Sequence, residues 1–164
     1  MTDVQNALQG SHLLEVAKNN AITEINKLTA LNDAQRQKAI ENVQAQQTIP
    51  EVNQQLTSDK ELNNVMQTLR DKVGQQNNVH QQSNYFNEDE QPKHNYDSAI
   101  QAGQGIIDKP QDPMMSKNEI EQAINQINTT QTALSGENKL HTDQENADRQ
   151  IDRLSSLNLS LIHI

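Results

Sequence analysis

The sequence predicts an all-α protein built from two three-helix bundles in tandem, joined by a long shared helix and therefore elongated. Only 32% of the 164 residues are hydrophobic, which is too few for one globular core of this length. Glycine and proline number only five and four, while the abundant Gln, Lys, Glu and Ala favour helices. Apolar residues recur at steps of three and four, which is the period of an amphipathic helix.

The composition also excludes several classes of function. The chain carries 22 acidic and 13 basic side chains and a net charge of −9, so we expect no nucleic-acid partner, because phosphates require a basic surface. It has no cysteine, which excludes disulfides and thiolate chemistry. No stretch approaches the roughly 20 apolar residues of a membrane span, so we expect no membrane contact by this chain.

An internal repeat is the most informative feature of the sequence. Residues 1–32 align without gaps on residues 127–158 at an offset of 126, with 11 identical positions, most of them apolar or capping residues. The chain therefore contains one repeat period and the beginning of a second. We expect residues 1–10 to be the end of a preceding repeat's last helix and residues 140–158 to be the first helix of the next. The apolar tail, residues 159–164, breaks the repeat, and we interpret it as non-native sequence; a native, divergent C-terminus is the alternative.

The first bundle is predicted from its caps and apolar stripes. A helix is expected over about 11–31, with Leu14, Ala21 and Ile25 on one face. Asn32 and Gln35 form a capping box for a second helix that runs to about residue 46. Thr48 begins the third helix, with a proline in its first turn.

The third helix has two possible readings. Residues 58–61 (Ser-Asp-Lys-Glu) form another capping-box pattern, so a new helix could start at Ser58. No glycine or proline interrupts residues 51–73, and we favour one helix from Thr48 to about Gln76. Such a helix would be shared by two bundles and would fix their relative position.

The sequence defines the helix boundaries of the second bundle less closely than those of the first. Residues 74–87 are polar and loop-like, and a helix follows from about residue 87 or 91 to 108, with Pro92 in its first turn. Two prolines in residues 109–113 mark a firm break. Ser116 caps the next helix, which Ser135 and Gly136 end or bend. We expect the second copy of the first helix to start near Thr142, and to pack weakly or to extend from the preceding helix.

The polar side chains suggest no catalytic, metal or cofactor site. No two of the five histidines are spaced i, i+4 on a helix beside a carboxylate, as a zinc site requires. The acidic run at residues 88–90 lacks the alternating ligands and the glycine of a calcium loop, and acidic residues are expected at a helix start. The serines occupy caps and loops, without a nucleophile elbow. We therefore predict no enzyme activity, no metal and no cofactor.

The three aromatic residues are weak candidates for ligand binding. Tyr85, Phe86 and Tyr96 are the only aromatics in the chain, and beside neighbouring asparagines they could form a hot spot for a protein or a sugar. The favoured alternative is structural: Tyr96 packs in the bundle and Tyr85 holds the preceding loop over it.

Several motifs resemble the tandem repeats of the staphylococcal extracellular-matrix-binding proteins of the Ebh/Embp type. They are LNDAQ at residues 31–35, the Tyr85 and Tyr96 pair, ALSGENKL at residues 133–140, and the period of 126. Residues 11–57 resemble a GA module and residues 58–139 a FIVAR module, each a three-helix bundle. The resemblance implies a repeat of a giant secreted adhesin held at a Gram-positive cell wall, with fibronectin or another extracellular matrix protein as a weak, multivalent partner.

Two further expectations accompany this resemblance. The surface of residues 32–46 is polar and lacks the apolar patch of an albumin-binding module, so we do not expect albumin as a partner. A structural role, in which the repeat is a spacer or tether at the cell envelope without a ligand of its own, is the alternative to matrix binding. We expect the chain to be a monomer.

Overall fold

The computed structural model describes residues 2–163, and within them it contains eight helices and no strand. This confirms the all-α fold class. Met1 and Ile164, at the ends of the first and last predicted segments, lie outside the described residues. The helices are α1 (Asp3–Ile25), α2 (Asp33–Ala45), α3 (Ile49–Gly74), α4 (Gln76–His80), α5 (Ser83–Phe86), α6 (Glu90–Asp108), α7 (Lys117–Thr132) and α8 (Gly136–Ile162).

Helix α3 is continuous over 26 residues, as the favoured reading predicts. It begins with a capping box in which the Thr48 hydroxyl accepts the Glu51 N–H and the Glu51 carboxylate accepts the Thr48 N–H at 3.0 Å. Ser58 does not start a new helix, since its hydroxyl donates to the Gln54 carbonyl at 3.1 Å. At ~1.5 Å per residue, α3 is about 39 Å long, which is enough to pass through two bundles.

The first core is small and lies around the N-terminal half of α3. It consists of five fully or nearly fully buried residues contributed by α1, α2 and α3: Ala21, Ile25, Ala39, Val43 and Val52. Burial of one medium-sized apolar side chain contributes about 1.5–3 kcal/mol, so this bundle depends on its continuation into the rest of the chain.

The second core surrounds the C-terminal half of α3, which packs against α6 and α7. Its largest fully buried side chains are Leu31, Met66, Leu69, Tyr96, Ile120 and Ile127. Gly103 of α6 faces α3 so closely that a Cβ there would lie 3.0 Å from Val73 and 3.1 Å from Leu69. The two bundles therefore share α3, as predicted.

The connection between α1 and α2 differs from the prediction. Helix α1 ends at Ile25 rather than near residue 31, and Leu31 is buried from a turn. Asn63 accepts the Ala30 N–H at 3.0 Å and Arg70 donates to the Ala30 carbonyl at 2.7 Å. Because both partners are on α3, the turn is held on the second core, and this tertiary contact replaces the last helical turns.

The predicted capping box of α2 is present and also joins the two bundles. The Asn32 side chain accepts the Gln35 N–H at 2.8 Å, and the Gln35 side chain accepts the Asn32 N–H at 3.0 Å. Gln35 is completely buried and donates to the Met114 carbonyl at 2.8 Å. Asn32 donates to the Ile107 carbonyl at 3.1 Å. We call this set of contacts, from Asn32 and Gln35 to the last turn of α6 and the α6–α7 connection, the interbundle clamp.

Residues 74–87 are not the loop that their polarity predicts, since they contain the short helices α4 and α5. Val79 is buried in the second core, and the Tyr85 side chain packs against that core. Val79 therefore anchors α4 and Tyr85 anchors α5 on the second core.

The two terminal helices extend beyond the bundles. Helix α1 begins at Asp3 and α8 at Gly136, earlier than the predicted start near Thr142. Residues 2–13 and 140–163 are exposed. The accessible surface is 10852 Å², against about 8,200 Å² for a compact monomer of this mass, which agrees with the predicted elongated shape. No described helix is long and apolar enough to cross a membrane.

Candidate interaction surface

The structure separates the three aromatic candidates. Tyr96 is completely buried, Tyr85 is half-buried, and Phe86 is 75% exposed. An exposed phenylalanine adds apolar surface without stabilising the fold, whereas a buried tyrosine is fully explained by packing. Of the three, Phe86 alone is free to contact a partner.

Tyr85 belongs to a polar network that attaches α4 and α5 to α6. Its hydroxyl donates to Asp97 Oδ2 at 2.6 Å, and His80 Nε2 lies 2.7 Å from Asp97 Oδ1. The rings of His80 and Tyr85 stack with centroids 4.2 Å apart. Burial and the bond to Asp97 raise the pKa of Tyr85 to about 12. Burial opposes ionisation of Asp97, but the hydrogen bonds from Tyr85 and His80 hold its pKa below the usual value. Tyr85 is thus an anchor, as the structural alternative predicts.

Tyr96 lies edge-on to Tyr85, with centroids 6.2 Å apart. Its buried hydroxyl has no hydrogen-bond partner among the described residues. Burial raises the pKa of Tyr96, so the hydroxyl stays protonated at neutral pH, and no hydrogen bond compensates for its burial. Tyr96 is therefore a core residue whose polar atom costs stability.

Replacing Tyr96 with Phe should leave the fold unchanged and stabilise it by about 1 kcal/mol, because the substitution removes an unsatisfied buried hydroxyl. Urea unfolding monitored by circular dichroism measures the change. Tyr85→Phe is the matched comparison and should destabilise the fold, since Asp97 loses one of its hydrogen-bond donors. A loss of stability in Tyr96→Phe equal to that in Tyr85→Phe would show that the Tyr96 hydroxyl has a partner.

An open cleft of about 410 Å³ lies between α5 and α8 and is lined in part by Ser83, Leu140 and His141. Phe86 is one helical turn after Ser83, and Leu140 is 41% exposed. Phe86 does not line this cleft; we call its exposed side chain and the cleft residues Ser83, Leu140 and His141 together the α5–α8 surface. It combines exposed apolar groups with polar neighbours, which is the composition of a protein-contact surface.

Glu88 lies next to the α5–α8 surface and connects the segment after α5 to the start of α8. Its side chain is completely buried. The Glu88 carboxylate accepts hydrogen bonds from Lys139, from the Ser135 N–H and, at 3.1 Å, from the Ser135 hydroxyl. The Lys139 bond and then the Ser135 N–H bond lower the pKa of Glu88 to about 2. Glu88 is therefore ionised at neutral pH and holds the start of α8.

Within residues 2–163 no group of three or more His, Asp or Glu side chains is arranged to hold a metal ion. His80 is paired with Asp97, and His141 lies 3.2 Å from Glu145 on the same helix. Both contacts lie on exposed or half-exposed surface.

Comparison with known proteins matches almost the whole chain. The model of the GA module matches residues 11–65 and again residues 137–159, and the model of the FIVAR domain matches residues 65–135. A solved structure from work on extracellular matrix binding protein (Embp)-mediated Staphylococcus epidermidis adherence to fibronectin is 34% identical, with a TM-score of 0.75; the match covers 76% of this chain and 99% of that one. This chain belongs to the GA–FIVAR repeats of the staphylococcal extracellular matrix-binding proteins.

Two further relatives support this family assignment. The crystal structure of EbhA (756-1003 domain) from Staphylococcus aureus has a TM-score of 0.83 and 26% identity, covering 90% of this chain and 60% of that one. The extracellular matrix-binding protein ebh of S. aureus strain MW2 is 37% identical across the whole of this chain, which spans 2% of that relative.

The family match confirms the order of a GA module followed by FIVAR, and the repeat family is one of adhesins rather than enzymes. The two models meet at residue 65, in the middle of α3, so the modules are joined through a helix and not through a linker. The second GA match, residues 137–159, falls on α8 and supports the internal repeat.

Proposed function

We propose that this GA–FIVAR repeat binds an extracellular matrix protein, fibronectin in the first instance, weakly and multivalently at the surface of a Gram-positive cell. The observation that carries the proposal is the 34% identity over nearly the full length of the Embp structure from work on adherence to fibronectin. Secretion and attachment to the cell wall belong to the same proposal, and they are supported by the similarity to extracellular matrix-binding proteins.

The composition of the surface favours weak binding by each repeat. The chain carries a net charge of −9 and few large exposed apolar groups on its bundles, so one repeat offers little contact energy. Tandem copies convert later contacts into intramolecular ones and raise avidity by ~10²–10⁴ when geometry allows simultaneous contact. The function therefore resides in the array as much as in the repeat.

We place the contact on the α5–α8 surface, with Phe86 as its central residue. Phe86 is the exposed aromatic of the described chain, and aromatics are enriched among the residues that dominate binding energy. The neighbouring cleft could receive an apolar side chain from the partner next to Leu140.

The proposal is tested by surface plasmon resonance on immobilised fibronectin, with this chain and with a tandem fusion of two copies. We expect a dissociation constant near ~100 μM for one copy, about −5.5 kcal/mol, and much slower dissociation for the fusion. Phe86→Ser should weaken binding at least about fivefold, the equivalent of ~1 kcal/mol. Leu13→Ser removes another exposed apolar residue, 56% exposed against 75% for Phe86, from α1 and is the matched control.

Absence of binding by both the single copy and the fusion would contradict the proposal that this repeat binds fibronectin. Equal binding by the wild type and Phe86→Ser would retain the function but exclude the α5–α8 surface.

A spacer role is the second candidate, and the shared helix α3 favours it. A helix common to two cores resists bending at the module boundary, because bending would break packing on both sides. Small-angle scattering of two fused copies should give a radius of gyration far above the ~20 Å of a compact chain of twice this length. A value near the compact one would exclude a spacer.

A further inference from the structure

The direction of helix α8 is set by a few residues at its start. Residues 140–163 are all exposed, so none of them is buried against a bundle. The helix that α8 packs against is the short α5. The contacts that orient α8 must therefore lie between Leu134, which is the last residue of the second core, and Lys139.

Leu134 anchors the end of α7. Its side chain is buried in the second core, in the same cluster as Tyr96 and Ile127. Its N–H bonds to the Gln131 carbonyl at 3.2 Å, three residues back, and such a bond tightens the last turn of a helix. Helix α7 therefore ends at a fixed point, and the chain leaves the core directly after it.

The residues that follow Leu134 are held by the segment that joins α5 to α6. In a longer α7 the Ser135 N–H would bond to the Gln131 carbonyl, but it donates instead to the buried Glu88 carboxylate. The Ser135 hydroxyl donates to the same carboxylate at 3.1 Å. Helix α8 has no cap from its own N-terminal side chain, and Asn84 of α5 accepts the Glu137 N–H at 3.3 Å. The first donors of α8 are thus satisfied by the second bundle.

Lys139 supplies a second attachment on the same face of α8. It lies one helical turn after Ser135, and its ammonium group contacts Glu88 and lies 2.6 Å from Asp89 Oδ2. Two attachments one turn apart fix the direction of a helix as well as its position. A swing of α8 would separate Lys139 from Glu88 and leave a buried carboxylate unpaired, which is strongly unfavourable. We call the contacts of Glu88 with Ser135 and Lys139 the joint contacts.

Gly136 allows α8 to approach the second bundle closely. The residue is buried, and a Cβ on it would lie 2.6–2.7 Å from backbone atoms of residues 84, 87 and 88. Backbone atoms cannot move aside as a flexible side chain can. Any side chain at position 136 would therefore push the start of α8 away from α5 and pull the joint contacts apart.

We propose that the α7–α8 joint is a rigid coupling, in which Leu134 and the joint contacts hold α8 at one angle to the second bundle. Residues 137–159 match the GA module, so the direction of α8 is also the direction in which a following GA module leaves. Successive repeats then keep a defined angle at this point instead of swinging freely. The contacts lie within one chain, so the rigidity of the joint does not depend on binding to fibronectin.

The two module boundaries are stiffened in different ways. The boundary between the GA module and FIVAR, at residue 65, lies inside α3, where two cores pack on one helix. The boundary after FIVAR, at residues 135–137, interrupts the helix, and the exposed remainder of α8 adds no buried residue to the second core. At the second boundary the joint contacts therefore supply the resistance to bending that core packing supplies at the first.

Pulsed electron–electron double resonance between two spin labels tests this rigidity on the full chain. The chain has no cysteine, so the labels are placed with Asn125→Cys on α7 and Gln150→Cys on α8, both at exposed positions. Position 150 is about 21 Å along the helix from Gly136, so a swing of ~20° displaces its label by about 7 Å. The parent double-cysteine chain should give one narrow distance distribution.

Two unrelated substitutions in this parent should release the joint. Glu88→Ala removes the shared acceptor, and Gly136→Ala forces α8 away from the backbone of residues 84–88; each should broaden the distribution by about 5 Å or more. Glu90→Ala, at an acidic side chain that is 95% exposed, is the control for the first. Gly105→Ala, where a Cβ meets nothing within 4 Å, is the control for the second. Both controls should keep the narrow distribution.

A broad distribution in the parent chain would overturn the proposal without reference to any variant. Narrow distributions in Glu88→Ala and Gly136→Ala, with the far-UV circular dichroism of the parent, would overturn it as well, because other contacts would then set the angle. Gly136→Ala decides between these outcomes should Glu88→Ala fail to fold, since it leaves every charge in place.

Discussion

A proline at position 58 is expected to split the cooperative unfolding of this chain into two transitions and to cost about 3 kcal/mol or more. Ser58 is an exposed residue in the middle of α3, between the first core at Val52 and the second core at Leu62. Proline removes the backbone bond to Gln54 and its ring clashes with that carbonyl. The small first core has five buried apolar residues, and it should unfold at lower temperature once α3 is broken.

The two transitions can be assigned because both tyrosines belong to the second bundle. Tyrosine fluorescence should follow the later transition, while far-UV circular dichroism follows both. Ser58→Ala keeps the helix and should melt as one unit with coincident probes. Coincident transitions in Ser58→Pro would mean that α3 does not couple the two bundles.

Helix caps and apolar spacing were sufficient to predict the shared helix and both bundles. The boxes at Asn32 and Thr48 are real caps, because the chain there leaves an extended conformation. The similar pattern at Ser58 is not a cap, since α3 runs through it without a break and the Ser58 hydroxyl donates to the Gln54 carbonyl. Asp59 of that pattern is almost fully buried, and burial raises its pKa; a capping interpretation would place it in solvent.

Contacts between residues far apart in sequence could not be predicted from periodicity. The turn at Ala30 is held by Asn63 and Arg70, so the sequence overestimated the length of the first helix. Glu88 looks like an ordinary acidic residue at a helix start, and its partners lie 47 and 51 residues away. The sequence also could not predict that Phe86 is exposed while Tyr85 is anchored, because the two adjacent aromatics differ only in the side of α5 on which they lie.

Replacing Gln35 with Ala is expected to destabilise both bundles by about 3 kcal/mol, although the residue belongs to the first. Its side chain is completely buried and joins the Asn32 N–H to the Met114 carbonyl. Alanine leaves both groups without that partner, and an unsatisfied buried donor or acceptor costs about 1–3 kcal/mol. Because Met114 lies in the α6–α7 connection, the loss reaches the second bundle directly.

Urea unfolding followed by tyrosine fluorescence measures this effect in the second bundle, although Gln35 belongs to the first. The second-bundle transition should move to lower urea in Gln35→Ala, by about as much as the far-UV signal. Gln37→Ala, at an exposed glutamine of the same helix, should change stability by less than ~0.5 kcal/mol. A fluorescence transition that stays in place while the far-UV transition moves would mean that the interbundle clamp stabilises the GA module alone. A shift of both would mean that the clamp and α3 act together, so that the GA and FIVAR modules form one mechanical unit.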